Sequence, residues 1–199
     1  MEAASKGQIS GAVLVDLSAA FDLVPHDLLL KKLEIYGFKE SYTEILKSYL
    51  SERSQAVWID HCMSEYLPVD VGVPQGSILG PLMFLIYIND LSSILDCDAS
   101  QYADDTTLSS SDYTITSVSA NLSRSCDKLS NWMCQNRFKL NSDKTHVLTL
   151  GTDKKLANPQ NRVNVIMDGV QLKESDIGSK YLLGCQMQAN MKWNIQYSN

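Results

Sequence analysis

The chain is short of cysteine: it has five in 199 residues, an odd number with no Cys-x-x-Cys pair. That argues against a disulfide framework or a structural zinc site, and for a reducing, intracellular compartment, with nucleus and cytoplasm not distinguished. It also lacks a long apolar run. The stretch from Ile78 to Leu91 is too short and too interrupted to span a bilayer. The N-terminus is polar and shows no signal peptide, so no membrane partner is expected. Positive charge is not in excess either. Lys and Arg number 17 against 23 Asp and Glu, a net charge of −6. Proteins that grip nucleic acid usually present a basic face. Here the cations are scattered: Lys31-Lys32, Arg124, Lys128, Arg137, Lys139, Lys144 and Lys154-Lys155. There is no internal repeat and no low-complexity segment. What remains is long enough to bury a sizeable core as one domain.

The most informative segment present is Tyr102-Ala103-Asp104-Asp105. Two adjacent carboxylates concentrate negative charge at one point, and a hard divalent cation suits an all-oxygen site of this kind. The flanks, Ala99-Ser100-Gln101 and Thr106-Thr107-Leu108, are short enough to be strands around a tight reversal. Taken alone, an Asp-Asp pair in a loop is more often simply solvated. Upstream, Ala12 to Val15 is an apolar, β-branched run that reads as a buried strand ending in Asp16. A carboxylate at a strand end is well placed to face a ligand; capping of the next helix is the alternative, open equally to Ser18 and Asp22. Between these segments, Gly72-Val73-Pro74-Gln75-Gly76-Ser77-Ile78-Leu79-Gly80-Pro81 packs three glycines after Val71 and two prolines into a fixed loop. Leu82 to Leu91 follows as a buried helix, and the loop's backbone N–H groups would suit an anion.

Taken in order, these segments resemble motifs A, B and C of reverse transcriptases, most closely the non-LTR retrotransposon branch of LINE or jockey-like elements. Asp16-Leu17-Ser18-Ala19-Ala20-Phe21-Asp22 with Val24-Pro25-His26 resembles motif A, the Gly72 to Pro81 loop motif B, and Tyr102 to Asp105 motif C. Asn131-Trp132, Asn136, Lys139-Leu140-Asn141 and Lys144-Thr145 resemble motif D. Tyr181-Leu182-Leu183-Gly184 resembles motif E with one residue too many, and a commonly acidic position after it is Gln188.

The resemblance implies an RNA-directed DNA polymerase that adds deoxynucleotides to a primer 3′-hydroxyl with two Mg²⁺ ions, Mn²⁺ being the alternative. Its partners would be an RNA template, a DNA primer and deoxynucleoside triphosphates. It implies that Asp16, Asp104 and Asp105 hold the metals. Phe21 would exclude a ribose 2′-hydroxyl, and Leu17, Gln75 and Gly76 would line the nucleotide. Lys144 would donate a proton to pyrophosphate, a solvated surface lysine being the alternative. Tyr102, Lys139 and Gly184 would lie along primer and template. Asp22 reads as a helix cap rather than a ligand. The implied fold is an α+β polymerase palm, an antiparallel sheet with a catalytic hairpin packed on helices, with fingers and thumb largely absent. On this reading residues 1–10 are a partial N-terminal remnant, 11–177 the palm with motifs A to D, and 178–199 the motif E-like segment with the start of a thumb. The acidic balance follows from the missing basic regions. No endonuclease module or Cys/His knuckle accompanies the motifs. Two other readings stay open: a retrotransposon-derived fragment without enzymatic function, and an acidic module that binds divalent ions without nucleic acid.

Around the motifs, apolar spacing predicts a helix from His26 to Tyr36 with Gly37 as its stop, and a second with Tyr42, Ile45, Leu46, Tyr49 and Leu50 as its stripe. Residues 55–59 and 66–71 read as a strand pair. Ile115 to Asn136 reads as a long helix, and His146 to Leu150 and Val163 to Met167 as strands.

Overall fold

The computed structural model describes residues 2–140, 144–175, 180–182 and 185–187. In chain order, the elements that carry the architecture are strand β1 (Ile9–Val15), helices α1 (His26–Ile35), α2 (Glu40–Leu50) and α3 (Leu79–Ile88), strands β2 (Asp98–Tyr102) and β3 (Asp105–Asp112), helix α4 (Ile115–Gln135), and strands β4 (His146–Leu150) and β5 (Lys173–Glu174). They fall into two compact units. One comprises Met1–Ser18, Leu91–Met133 and Lys139–Asn199; the other comprises Ala19–Asp90 and Cys134–Phe138.

The first unit is built on a five-stranded sheet in the order β5-β4-β1-β3-β2. Its pairings are antiparallel, apart from β5 on β4, which is parallel. The central strand β1 is short-branched and apolar, and Ile9, Ala12, Val13 and Val15 are all buried. The amphipathic helix α4 buries Val118, Leu122, Cys126, Leu129, Trp132 and Met133, the three-and-four spacing of a single face. That face meets the sheet at Gly11. A Cβ built on Gly11 would stand 2.7 Å from Leu122 Cδ1 and 2.9 Å from Val118 Cγ1. Side chains alternate along a strand, so Ile9, Val13 and Val15 share the helix-covered face. Ala12 and Leu14 point the other way, where they pack with Leu148 and Leu150.

The second unit is helical. Helix α3 is apolar all round, as a buried helix should be, and it places Met83, Phe84, Tyr87 and Ile88 in the core. Leu29 and Leu33 of α1 are fully buried beside them in the same unit. Lys32 is 13 % exposed, and its Nζ donates to the Tyr87 carbonyl and to Asp90 Oδ1, both at 2.7 Å. A cation at the last carbonyls of a helix suits its dipole. Burial pulls the Lys32 ammonium down from its usual range, opposed by Asp90. Gly37 follows α1 at φ +82° and ends it as the spacing predicts.

Three expectations need correction here. In α2 the predicted stripe is only partly inward: Tyr42 and Ile45 are 57 % and 63 % exposed, while Thr43 and Leu50 are buried. The expected strand pair over 55–59 and 66–71 survives as two-residue ladders, Ser54–Gln55 with Leu67–Pro68 and Trp58–Ile59 with Cys62–Met63. Their side chains are exposed on both sides, so no buried face extends the pairing. In the first unit the strand expected over 163–167 shortens to Ile166–Met167.

The Gly11 contact yields a stability test. Gly11→Ala pushes a methyl into two side chains that are themselves fully buried, and overpacking of this kind costs about 1–3 kcal/mol. The expected result is a lower denaturant midpoint at an unchanged slope. A variant as stable as the parent would show that α4 yields freely at this point.

Candidate active site

The β2–β3 hairpin sets the geometry of the first unit's site. Tyr102 pairs with Asp105, which leaves Ala103 and Asp104 as a two-residue loop. Ala103 has φ 52°. A positive φ at the first loop residue is what a II′ turn requires, and a non-glycine residue holds it only under constraint from its surroundings. Tyr102, Asp104 and Asp105 are exposed at this tip.

Asp16 arrives from the neighbouring strand. The β1–β3 register runs from Ile9 opposite Asp112 to Val15 opposite Thr106. Continued one step, it sets Asp16 across from Asp105. Val15 and Thr106 share the face covered by α4, so the next pair belongs to the opposite face, as does Tyr102. Electrostatics agree with this placement. Partial burial raises the Asp105 carboxyl above its usual range, and the charges of Asp104 and then Asp16 raise it further. Asp16 caps no helix: neither the 3₁₀ turn Ala20–Leu23 nor α1 has a side-chain cap.

The segment after α4 returns to the same place. Leu140 bridges to Leu17, and Ser18 N donates to the Lys139 carbonyl at 3.3 Å. Lys144 follows, its Nζ 3.8 Å from Asp16 Oδ2. Both partners are well exposed, and an ion pair of that kind contributes little stability. Its interest is positional: a cation already stands beside one of the candidate carboxylates. Among the described residues, no group of three or more His, Cys, Asp or Glu is disposed to hold a metal ion as the side chains lie. Gly184 lies outside the described residues; the backbone around it pairs Lys180–Leu182 with Cys185–Met187.

The second unit holds Phe21, Gln75 and Gly76. Here the segment after Ala19 is laced to the glycine-rich loop. Val73 N donates to the Phe21 carbonyl at 2.8 Å, Gly72 N to the Val24 carbonyl at 2.7 Å, and Pro25 bridges to Val71. His26 Nε2 donates to the Gly72 carbonyl at 2.7 Å. Gln75 Nε2 donates to Asp22 Oδ1 at 2.8 Å, so Asp22 orients Gln75 instead of capping a helix. The loop also knits itself. Ser77 Oγ donates to the Pro74 carbonyl and accepts from Gly80 N, and a Cβ on Gly80 would fall 2.3 Å from the Pro74 oxygen. Beside it, a cavity of about 560 Å³ is lined by Asp22, Arg53, Gln55, Asp70 and Gln75 among others. Phe21 is half-buried and stacks on Phe84, ring centroids 4.3 Å apart. The lacing by His26 and Asp22 has no local sequence signal beyond the Val24-Pro25-His26 turn, because its partners lie some fifty residues downstream.

Comparison with known proteins bears on this arrangement. The family described as reverse transcriptase (RNA-dependent DNA polymerase) matches residues 2–187. The chain is 30% identical over 178 residues to a probable RNA-directed DNA polymerase from transposon BS of Drosophila melanogaster, covering 84% of the chain and 20% of that relative. It is 28% identical over 152 residues to the RNA-directed DNA polymerase from mobile element jockey of the same organism, covering 72% of the chain and 16% of the relative. A type-1 retrotransposable element R2 Pol polyprotein from Popillia japonica is 24% identical over 91 residues. The chain therefore spans a fifth or less of the first two relatives.

The raised Asp105 carboxyl has a consequence for stability. A carboxyl with a raised pKa in the folded state binds more protons there than in the unfolded chain. Its cost is absent below the ordinary value of 3.8 and grows as pH rises through that value and the higher folded one. Asp105→Asn removes the cost. In low salt without divalent ions, the variant should melt above the parent at pH 7, and the two should converge in acid. A divalent ion should narrow the gap at pH 7. Identical melting at both pH values would show that the three carboxylates do not feel one another.

Proposed function

We propose that this chain, which belongs to the reverse transcriptase family, is the catalytic palm of an RNA-directed DNA polymerase. It would add deoxynucleotides to a DNA primer annealed to an RNA template. The observation that carries the reading is the β1–β3 register, which, continued one step, runs Asp16 opposite Asp105 on the sheet face away from α4, beside Asp104 in the hairpin loop. Asp16, Asp104 and Asp105 would hold Mg²⁺, with Mn²⁺ as the alternative, because a hard divalent ion suits crowded carboxylate oxygens. Two such ions, when bound, stabilise the attacking and leaving oxygens of an in-line displacement.

The remaining chemistry is positioning and charge, as in other phosphoryl transfers. Lys144 stands beside Asp16. It would release that carboxylate when an ion is bound and offer its proton to the departing pyrophosphate. By the family resemblance, Leu17, Gln75 and Gly76 would contact the incoming nucleotide. The Asp22 bond takes one amide proton of Gln75 and leaves its carbonyl oxygen to accept. Phe21, five residues after Asp16, would exclude the 2′-hydroxyl of a ribonucleotide. Tyr102, exposed at the hairpin, would meet the primer, with Lys139 and Gly184 toward the nucleic acid. Among the described residues no helix is long and apolar enough to cross a membrane.

Primer extension on an RNA template with Mg²⁺, by this chain or a longer polypeptide containing it, tests the reading. Asp104→Asn should remove several kcal/mol of transition-state stabilisation, on the order of a thousandfold in rate at ~1.4 kcal/mol per tenfold. Incorporation that persists unchanged in Asp104→Asn would end the proposal. Phe21→Val should raise ribonucleotide incorporation relative to deoxynucleotide. Equal discrimination by both proteins would leave Phe21 as core packing only.

A further inference from the structure

Steric selection against one hydroxyl needs a ring that does not move. A half-exposed phenylalanine on a short 3₁₀ turn has rotamer freedom of its own, and a filter loose by an ångström filters little. Phe21 is such a residue. It lies in the turn Ala20–Leu23, which no side chain caps. Its carbonyl accepts from Val73 N at 2.8 Å. That bond fixes the carbonyl and leaves the ring to be held by packing.

The packing is specific. Phe84 lies against Phe21 with the planes 20° apart and centroids 4.3 Å apart. Phe84 is 0 % exposed and sits in α3, one and a half turns into the helix that the glycine-rich loop opens. It is held in turn. Phe138 meets Phe84 edge-on at 6.5 Å and Tyr87 at 5.4 Å, while the Tyr87 hydroxyl donates to the Asn136 carbonyl at 2.8 Å. The stack therefore begins at a partly buried ring and ends in rings that are buried and held by edge contacts and a hydrogen bond. Offset stacking of this kind adds to plain area burial and has a preferred geometry.

We infer that Phe84 is a positioning residue for sugar selection: it touches no nucleotide and sets the discrimination of the site by fixing the ring plane of Phe21. This rests on the reading of Phe21 as the sugar filter. Phe84→Leu keeps an apolar side chain in the core but removes the plane against which Phe21 lies. The Phe21 ring then gains a second orientation, and the clash with a 2′-hydroxyl is relieved in part of the population.

The test compares the ratio of deoxynucleotide to ribonucleotide incorporation in the parent, Phe84→Leu, Phe21→Val and the double variant, with kcat and KM separated. Leu122→Ala, which removes buried volume from the sheet unit, controls for instability. A lost steric contact is worth about 10–200-fold in selectivity, so Phe84→Leu should lower the ratio about tenfold or more, chiefly through a lower ribonucleotide KM. It should add nothing in the Phe21→Val background, because both act on one contact. Leu122→Ala should keep the parent ratio. A fluorine label on the Phe21 ring gives a reading that needs no turnover: one narrow, shifted line in the parent, and an averaged line near the free value in Phe84→Leu. If Phe21→Val loses discrimination while Phe84→Leu keeps it, or if the fluorine line is unmoved, the inference is overturned and the function proposed for Phe21 stands. If Phe21→Val itself keeps the parent ratio, both fall together.

Discussion

A one-residue slip of β1 against β3 would turn Asp16 onto the face covered by α4 and bury a carboxylate there. The alternation of a strand allows no intermediate outcome. The register is therefore the constraint on which the site depends, and two features fix it. One is the tight hairpin: pairing Tyr102 with Asp105 leaves two loop residues and sets where β3 begins. The other is Gly11, which lets the helix approach at a single position of β1, opposite Ser110. A side chain there would keep α4 away from the sheet, so the glycine marks which face of the strand is inside. Packing on one side of the sheet thus determines where the acidic groups stand on the other.

That arrangement places like charges together in a chain that is already acidic. Partial burial, then the charges of Asp104 and Asp16, disfavour the ionised form of Asp105, so the fold works against its own electrostatics at this point. The surroundings limit the cost without removing it. The carboxylates are open to water, where repulsion is screened. Lys144 places a positive charge near Asp16 from a segment anchored by the Leu17–Leu140 bridge. A flexible lysine suits that position. It neutralises without filling the site, and its ammonium can leave when a stronger cation arrives.

The helical unit answers a different need. Its loop from Gly72 to Pro81 carries polar groups that must be held still, though Gln75 and Gly76 are exposed. Exposed groups on an unsupported loop would sample many conformations. Here the backbone of residues 21–26 pairs with that of 71–73, and side chains at both ends, His26 and Asp22, close the pairing. The Ser77 hydroxyl then bonds within the loop at Pro74 and Gly80, which only a glycine at position 80 permits. The result is a loop whose tip is solvated and whose two stems are fixed.

How much of this was readable in the sequence depended on the range of the cause. The hairpin, β1, β4 and α4 follow from local signals: a period of two, a period near four, and a turn of small and acidic residues. Asp16, Asp104 and Asp105 stood out as candidates because the motifs that carry them are contiguous. Tyr42 and Ile45 misled, since their spacing reads as a buried stripe while the structure leaves them at the surface and buries Thr43 instead. Periodicity reports that a helix has an apolar side; it does not report whether anything covers that side. The ladders over 54–68 are short for the converse reason: their residues favour strands, yet their side chains are exposed and give the pairing no buried face to extend. Asp22 and Gln75 are 53 positions apart, and nothing in either neighbourhood indicates the other. Phe21 and Phe84 are separated by a similar length and by three kinds of element. Such pairs become visible only when the chain is folded, and they determine whether groups named by the motifs are held well enough to act.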